Sequence, residues 1–290
     1  MPIEFRCPHC GTQTSVPDSV AGRTGACFGC GKPLVVPPAD SPDGYALPAK
    51  RSKWPIILIA VLTLAPVALL VLVCCGGVLL GLLLPAVNAA RETARKETCA
   101  SNLRQISLAM KNYEAINGSL PPAFVVDKNG RPMHSWRVLL LPYMDEDLYK
   151  EYHFDEPWDG PHNRALANRI PRFYRCPSAG PTTSVTSYVV IVGPRTAFPG
   201  AKPAPASEIN KDAASTILVV EAPRAGINWL EPRDLREDEM HFKINGDPKT
   251  DIGSFHVRGA NVSYCDASVH YFADSMDAKV LKQLIERKGK

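Results

Sequence analysis

The sequence predicts an α+β protein in three parts: a small N-terminal unit, one long apolar helix and a larger C-terminal domain. Two Cys-x2-Cys pairs lie within the first thirty residues, and residues 54–90 contain no Asp, Glu, Lys or Arg. An amphipathic helical pattern then precedes several short strand-like runs, an order typical of α+β domains. We therefore expect compact units at 1–37 and 85–290, a linker at 38–53 and a helix at 54–84.

The N-terminal unit carries the pattern of a structural metal site. Cys7 and Cys10 form one Cys-x2-Cys pair and Cys27 and Cys30 form the other, with sixteen residues between the pairs. Four thiolates at this spacing suit tetrahedral Zn²⁺ and leave no open position for water, which predicts a structural rather than a catalytic ion. The pattern resembles a zinc ribbon. A rubredoxin-like iron site and a pair of disulfides are the alternatives.

The partners of this unit are predicted to be proteins. Its basic residues are few, namely Arg6, Arg23 and Lys32, and the whole chain has a net charge of only +4. A nucleic-acid surface would need a denser basic patch, so we expect no nucleic-acid partner. The proline-rich stretch that begins at Val36 reads as the linker.

The uncharged stretch predicts a helix that crosses a lipid bilayer. Residues 56–84 are almost entirely Ile, Leu, Val, Ala, Cys and Gly. A bilayer core of about 30 Å needs about 20 helical residues, which this run exceeds. A signal peptide would begin near residue 1 and have a shorter apolar core, so we predict a retained single-pass anchor in the cytoplasmic membrane.

The orientation of the anchor is predicted from the cysteines. Basic residues flank both ends of the apolar run, so the positive-inside rule does not decide. Zinc-ligating thiolates persist best in a reducing compartment, which favours a cytosolic N-terminus and an extracytoplasmic C-terminal domain. In that compartment a disulfide between Cys99 and Cys176 is a hypothesis, and two buried thiols are the alternative; Cys265 is left over.

The C-terminal domain begins with an amphipathic helix that continues from the anchor. Its apolar positions recur at three- and four-residue intervals, and it is predicted to stop at Asn117–Gly118. Strands and a closing helix are predicted further on. They are strands at Phe173–Cys176, Tyr188–Val192, Thr216–Val220, Asn261–Tyr264 and Ser268–Phe272, and a helix at Asp277–Arg287.

Several ordered blocks of this domain resemble a known family. They are LPAVNAARETAR at 84–95, CASNLRQI at 99–106, NGSLPPA at 117–123, SWRVLLLPY at 135–143, EPWD at 156–159, PHN at 161–163, RCPS at 175–178, and a closing signature from His256 to Asp266. The domain is similar to a large planctomycete family of pseudopilin-like domains of unknown function, once labelled solute-binding. The resemblance covers about residues 80–275.

The resemblance implies a type IV pilin-like architecture, in which a long N-terminal helix packs on an antiparallel sheet. Family members commonly begin with a prepilin-type leader, whereas this chain has the cysteine unit there. The glycine usual after the signature aspartate is Ala267, which predicts an altered hairpin turn. His256 and Asp266 are expected to be structural, because an aspartate at a turn caps backbone N–H groups.

No catalytic motif is apparent, so the sequence predicts a protein that is not an enzyme. The expected function is a membrane-anchored, pseudopilin-like role in envelope structure or secretion-type assembly, with homo-oligomers possible. A tethered solute-binding or sensing protein is the alternative. Aromatic residues that could line a ligand groove, such as Trp136 and Trp229, are more simply explained by packing.

Overall fold

The structure is a computed structural model that describes residues 1–40, 54–180 and 184–287. It divides into two compact units, Met1–Leu79 and Leu80–Lys290. The predicted linker at 38–53 lies almost wholly outside the described residues.

The N-terminal part of the first unit consists of two β-hairpins. The strands are β1 (Ile3–Arg6), β2 (Gln13–Val16), β3 (Thr24–Ala26) and β4 (Pro33–Val35). β1 pairs with β2 and β3 pairs with β4, both antiparallel, and each hairpin turn contains one Cys-x2-Cys pair. The core between the hairpins is small, and its buried members are Ile3, Phe5, Cys7, Cys27, Leu34 and Val36.

One helix, α1 (Trp54–Asn117), contains both the apolar run and the amphipathic pattern. Within the described residues, the segment Leu58–Asn117 is long and apolar enough to cross a membrane, and none of its apolar window is buried. The helix ends where the sequence predicts, because Gly118 adopts a φ of 78° and its N–H donates to the carbonyl of Glu114.

The second unit is built from the C-terminal part of α1, short strands and short helices. The strands are β5 (Phe124–Val126), β6 (Pro132–Ser135), β7 (Tyr188–Val189), β8 (Ile191–Val192), β9 (Ile217–Glu221), β10 (Leu235–Arg236), β11 (Gly259–Tyr264) and β12 (Val269–Ala273). The helices are α2 (Trp136–Leu139), α3 (Leu141–Met144), α4 (Glu146–Glu151), α5 (Pro161–Ala165), α6 (Ala206–Lys211) and α7 (Ala278–Ile285).

The central sheet is antiparallel, in the order β12-β11-β9-β7. A two-stranded parallel pair, β8 with β10, and the hairpin β5-β6 accompany it. Neighbours along a strand point to opposite faces of a sheet. In β11, Val262 belongs to the cluster that contains α7, whereas the Asn261 amide reaches the Lys96 carbonyl on α1. The sheet therefore lies between α1 and α7.

The main hydrophobic core forms around one face of α1. Cys99, Leu103, Ile106 and Met110 recur at three- and four-residue spacing and are fully buried. Large side chains from the short elements and loops pack against them, which explains how a proline-rich region without long elements stays ordered. They include Trp136, Leu140, Tyr174, Tyr188 and Trp229.

Two predicted strands differ in the structure. The predicted strand Phe173–Cys176 begins with a 3-10 turn, Arg172–Tyr174, closed by a hydrogen bond from Tyr174 N–H to the Pro171 carbonyl. The predicted strand Tyr188–Val192 is divided into β7 and β8 because the N–H of Val190 donates to the Asp234 carboxylate instead of to a strand. The other predicted strands and the closing helix are present with shifted ends.

The β11–β12 turn holds a strained residue. Ala267 has a φ of 67°, and its N–H donates to the carbonyl of Tyr264. This left-handed conformation costs an ordinary L-residue about 1–2 kcal/mol, and glycine adopts it without that penalty. We expect Ala267→Gly to raise the free energy of unfolding by about 1 kcal/mol, measured by denaturant unfolding of the full chain in detergent.

The matched control makes the same change in an ordinary helical conformation. Ala94→Gly, on an exposed position of α1, is expected to lower stability by about 1 kcal/mol. If both variants were destabilised alike, the left-handed strain at Ala267 would not be the relevant difference.

Candidate functional site

Four thiols converge between the two N-terminal hairpins. The Sγ atoms of Cys7 and Cys30 lie 3.9 Å apart, and those of Cys10 and Cys27 lie 3.6 Å apart. The four Sγ atoms are all within 4.8 Å of one another, so they could hold one metal ion. Tetrahedral Zn–S bonds of about 2.3 Å place the sulfurs about 3.8 Å apart. The two measured sulfur–sulfur distances agree with this value.

The two hairpin turns that carry the thiols have matching hydrogen bonds. In the first, the N–H of Gly11 donates to the Cys7 carbonyl, and in the second the N–H of Gly31 donates to the Cys27 carbonyl. Gly11 and Gly31 have φ values of 76° and 71°, which only glycine adopts without strain. Each turn also directs a backbone N–H at the first sulfur, from His9 to Cys7 and from Gly29 to Cys27.

The environment of one thiol favours its ionised form. A hydrogen bond with the Thr12 hydroxyl, followed by one with the Thr12 backbone, lowers the pKa of Cys10 to about 6. Thiolates rather than thiols bind metals, so this turn prepares a ligand. His9 lies between two ligands in sequence and is exposed, and it is not among the converging donors.

A second cluster lies inside the C-terminal unit. Its members are Cys99 from the buried face of α1, Cys176 after the 3-10 turn, and His256 from the loop before β11. Cys99 and Cys176 have their Sγ atoms 3.0 Å apart, and His256 Nε2 lies 3.2 Å from the first sulfur and 3.7 Å from the second. Their exposed fractions are 0%, 1% and 4%. The structure thus brings together the two cysteines of the disulfide hypothesis, which stays a prediction.

A carboxylate that the sequence does not single out lies next to this cluster. Glu221 ends β9, is 1% exposed, and places Oε1 at 3.8 Å from His256 Nε2. The backbone N–H of Asn261 donates to its other oxygen at 2.6 Å. Burial raises the pKa of Glu221 to about 7, against the opposing effect of that hydrogen bond. The cluster therefore has three donor atoms within 4.8 Å of one another, and Glu221 adds a buried carboxylate next to His256.

His256 is oriented by a second carboxylate. Its Nδ1 lies 2.7 Å from Oε1 of Glu92, which is on α1 two turns before Cys99 and on the same face. A neutral imidazole that donates to Glu92 through Nδ1 directs the Nε2 lone pair at the two sulfurs. The Glu92 side chain is 31% exposed, so it closes the cluster toward solvent.

The two sulfurs have opposite electrostatic settings. The hydrogen bond between them raises the pKa of Cys99 and lowers that of Cys176 to about 5, where His256 adds to the lowering. Burial alone would lower the pKa of His256, but its contacts with Cys176 and Glu92 raise it to about 9. Without a bound ion, the cluster therefore favours a thiolate at Cys176 beside a protonated imidazole.

Asp266, the other residue of the predicted signature, has different partners. It lies in the β11–β12 turn, where its carboxylate accepts from the N–H and the hydroxyl of Ser268 at 2.9 and 2.6 Å. His256 contacts Glu92 and the two thiols instead. The two residues of the signature therefore make separate contacts, and Asp266 caps the turn as the sequence predicts.

A family comparison covers the segment that carries both thiols of this cluster. Residues 88–212 match the family described as a protein of unknown function, DUF1559. The DUF1559 match agrees with the predicted similarity to a family of unknown function, and it contains Glu92, Cys99 and Cys176 but ends before Glu221 and His256. No curated protein and no solved structure matches the chain.

Glu92 and Glu221 are the functional candidates that sequence reasoning missed. Glu92 lies in a charged part of an amphipathic helix, where a solvated role is the usual one. Glu221 carries a weak signal, because it directly follows the apolar run Ile217–Val220 and so places a charge at the end of a buried strand.

Proposed function

We propose that this protein is a non-enzymatic, single-pass membrane protein of the cytoplasmic membrane. Its C-terminal unit would be a pseudopilin-like domain outside the membrane, acting in envelope structure or secretion-type assembly. Its N-terminal unit would be a zinc ribbon that contacts a protein in the cytosol.

Helix α1 is the observation that carries this proposal. Bulky side chains are exposed along the described residues of its apolar part, for example Leu62 at 66% and Leu72 at 72%. Exposing such a surface to water is unfavourable, whereas lipid solvates it. The later part of the same helix supplies the face around which the C-terminal core packs. A spanning helix that becomes a domain's core helix is the arrangement expected of a pilin-like protein.

The donor set of the N-terminal site supports zinc. Four cysteine sulfurs at tetrahedral spacing, with no carboxylate or imidazole among them, form the ligand set of a closed structural site. Iron on the same four sulfurs is the alternative, and metal analysis separates the two.

The exposed surface of this unit supports a protein-contact role. Phe28 lies between two ligands and is 98% exposed. A groove of about 590 Å³ adjoins it, and its apolar lining includes Phe5, Val16, Leu34 and Val36. Exposed aromatic side chains are enriched at protein interfaces.

The topology is tested with reporter fusions to the full chain. A periplasm-active phosphatase and a cytosol-active fluorescent protein are each placed after residue 45 and after Lys290. We expect phosphatase activity only at the C-terminal position and fluorescence only at the N-terminal one. The reverse pattern would contradict a role in the envelope. If the same reporter were active at both positions, both ends would lie on one side of the membrane, which would contradict a single span.

A groove in the C-terminal unit supports the alternative of a tethered solute-binding or sensing protein. Its volume is about 650 Å³, and Met240 and Phe242 line it together with Arg195, Arg236 and Lys282. All three cations already pair with carboxylates, Arg195 and Lys282 with Glu286 and Arg236 with Asp238, so they are not poised for an anionic solute. Trp136 and Trp229, two candidates for a groove, are fully buried instead.

Two measurements separate the functions. Cross-linked oligomers that depend on residues 56–116 would favour assembly. Thermal stabilisation of the full chain by a small solute, lost on Phe242→Ala in the groove, would favour binding.

A further inference from the structure

We propose that Cys99, Cys176, His256 and Glu221 form a second metal site, which binds one thiophilic divalent ion of the zinc class inside the C-terminal unit. The proposal does not depend on the proposed function of the chain.

Convergence of unlike donors is the first argument. The two sulfurs and the imidazole nitrogen lie within 4.8 Å of one another, at separations of 3.0, 3.2 and 3.7 Å, and a carboxylate oxygen of Glu221 lies 3.8 Å from that nitrogen. A disulfide would account for the two sulfurs and leave the approach of His256 and Glu221 unexplained. Cysteine, histidine and glutamate are the donors that zinc takes in proteins.

The spacing is the second argument. A tetrahedral ion with bonds of about 2.0–2.3 Å needs donors about 3.3–3.8 Å apart. The two separations between His256 and the sulfurs and the one between His256 and Glu221 are within about 0.1 Å of that interval. To bind one ion, the two sulfurs must move apart by about 0.8 Å and Glu221 must move closer to the sulfurs. The four-cysteine site on the same chain already has sulfur separations of 3.6 and 3.9 Å.

The outer partners are the third argument. Histidines that bind metals almost always pair the second ring nitrogen with a carboxylate or carbonyl, which fixes the ring. Glu92 does this for His256 at 2.7 Å. The Asn261 N–H fixes Glu221 in the same way, and the N–H of Ser178 lies 3.4 Å from the Cys176 sulfur.

Burial is the fourth argument. A carboxylate that is 1% exposed is costly unless a cation or hydrogen bonds compensate its charge. An ion bound to Glu221 and both thiolates supplies that charge. Because oxidation of a thiol depends on access, the buried and metal-bound pair would resist disulfide formation on either side of a membrane.

The test uses the full chain in detergent, with the first site removed. Cys7, Cys10, Cys27 and Cys30 are replaced by serine, so that any remaining ion reports on the second cluster. After reduction and removal of metals, Co²⁺ is titrated and followed by its visible absorption, with Zn²⁺ as competitor. We expect one ion per chain.

Variants identify the ligands in this background. His256→Ala is expected to abolish binding, and Glu92→Gln, which leaves all four ligands in place, to weaken it by about 10–100-fold. Cys265→Ser, at a buried cysteine outside the cluster, is the control and should leave the affinity unchanged. Because Glu92 is partly exposed, its variant keeps the test informative even where His256→Ala does not fold.

Two results would overturn the proposal. One is the absence of Co²⁺ and Zn²⁺ binding by the reduced, folded protein. The other is a quantitative Cys99–Cys176 disulfide, detected by peptide mapping after thiols are alkylated in intact cells, which would instead establish the disulfide hypothesis.

Discussion

The substitution Cys27→Ser is expected to remove the metal ion of the N-terminal site and to unfold the two hairpins of residues 1–36. Only six buried apolar side chains form the core of these hairpins, and two of the six are cysteines of the site. Structural zinc contributes about 10–16 kcal/mol to the folding of such small units. Loss of one of four thiolates therefore costs more than the remaining core can supply.

Metal analysis and limited trypsin digestion of the full chain in detergent measure this effect. The metal content should fall by one ion per chain, and cleavage after Arg6 and Arg23 should become fast. Phe28→Ser is the matched control, because Phe28 adjoins Cys27 but is 98% exposed. Equal protease resistance in Cys27→Ser and the unmodified protein would show that the hairpins fold without the ion.

The substitution Asp234→Ala is expected to destabilise the C-terminal unit by about 3–5 kcal/mol, since it leaves the buried charge of Arg137 uncompensated. The Arg137 and Asp234 side chains are 0% and 1% exposed, and their charged atoms lie 2.5 Å apart. Asp234 also accepts from the Trp136 indole N–H at 3.2 Å and from the Val190 N–H at 3.0 Å. One carboxylate thus joins α2 to the β7–β8 segment.

Thermal unfolding of the full chain in detergent measures the loss as a fall in Tm of roughly 10 °C, at about 2–4 °C per kcal/mol for a domain of this size. Asp238→Ala breaks a comparable pair with Arg236 at the surface, where both side chains are more than half exposed. That control should leave Tm unchanged, because solvent screens exposed pairs. Similar shifts in the two variants would mean that burial is not what makes Asp234 important.

The parts of the fold that were predictable follow from local periodicity. The amphipathic pattern before Asn117 and the glycine after it set the end of α1, and alternation identifies β11 and β12. The prediction of a strand at Phe173–Cys176 was wrong, because the aromatic residues of this segment pack into the core from a 3-10 turn. The Tyr174 hydroxyl donates to the Arg137 carbonyl.

Of the two candidate sites, only the one whose donors are close along the chain could be predicted from the sequence. The four-cysteine cluster is readable from spacing, because its donors are close along the chain. The second cluster is not, since Glu92 and His256 are 164 residues apart and meet only through packing of α1 on the sheet. Cys99 and Cys176 could be paired from the sequence as oxidisable residues, but nothing local connects either to Glu221.

The side chains around β7 also determine at which edge the central sheet can pair with a further strand. β7 is one edge of the central sheet, and its outward backbone groups are taken: the Tyr188 carbonyl accepts from Arg137 and the Val190 N–H donates to Asp234. An added strand would have to displace a buried ion pair there, whereas in the opposite edge strand, β12, only Phe272 is buried. Strand pairing between copies would thus use β12 against β12, a twofold contact that closes on itself and cannot propagate into a fibre.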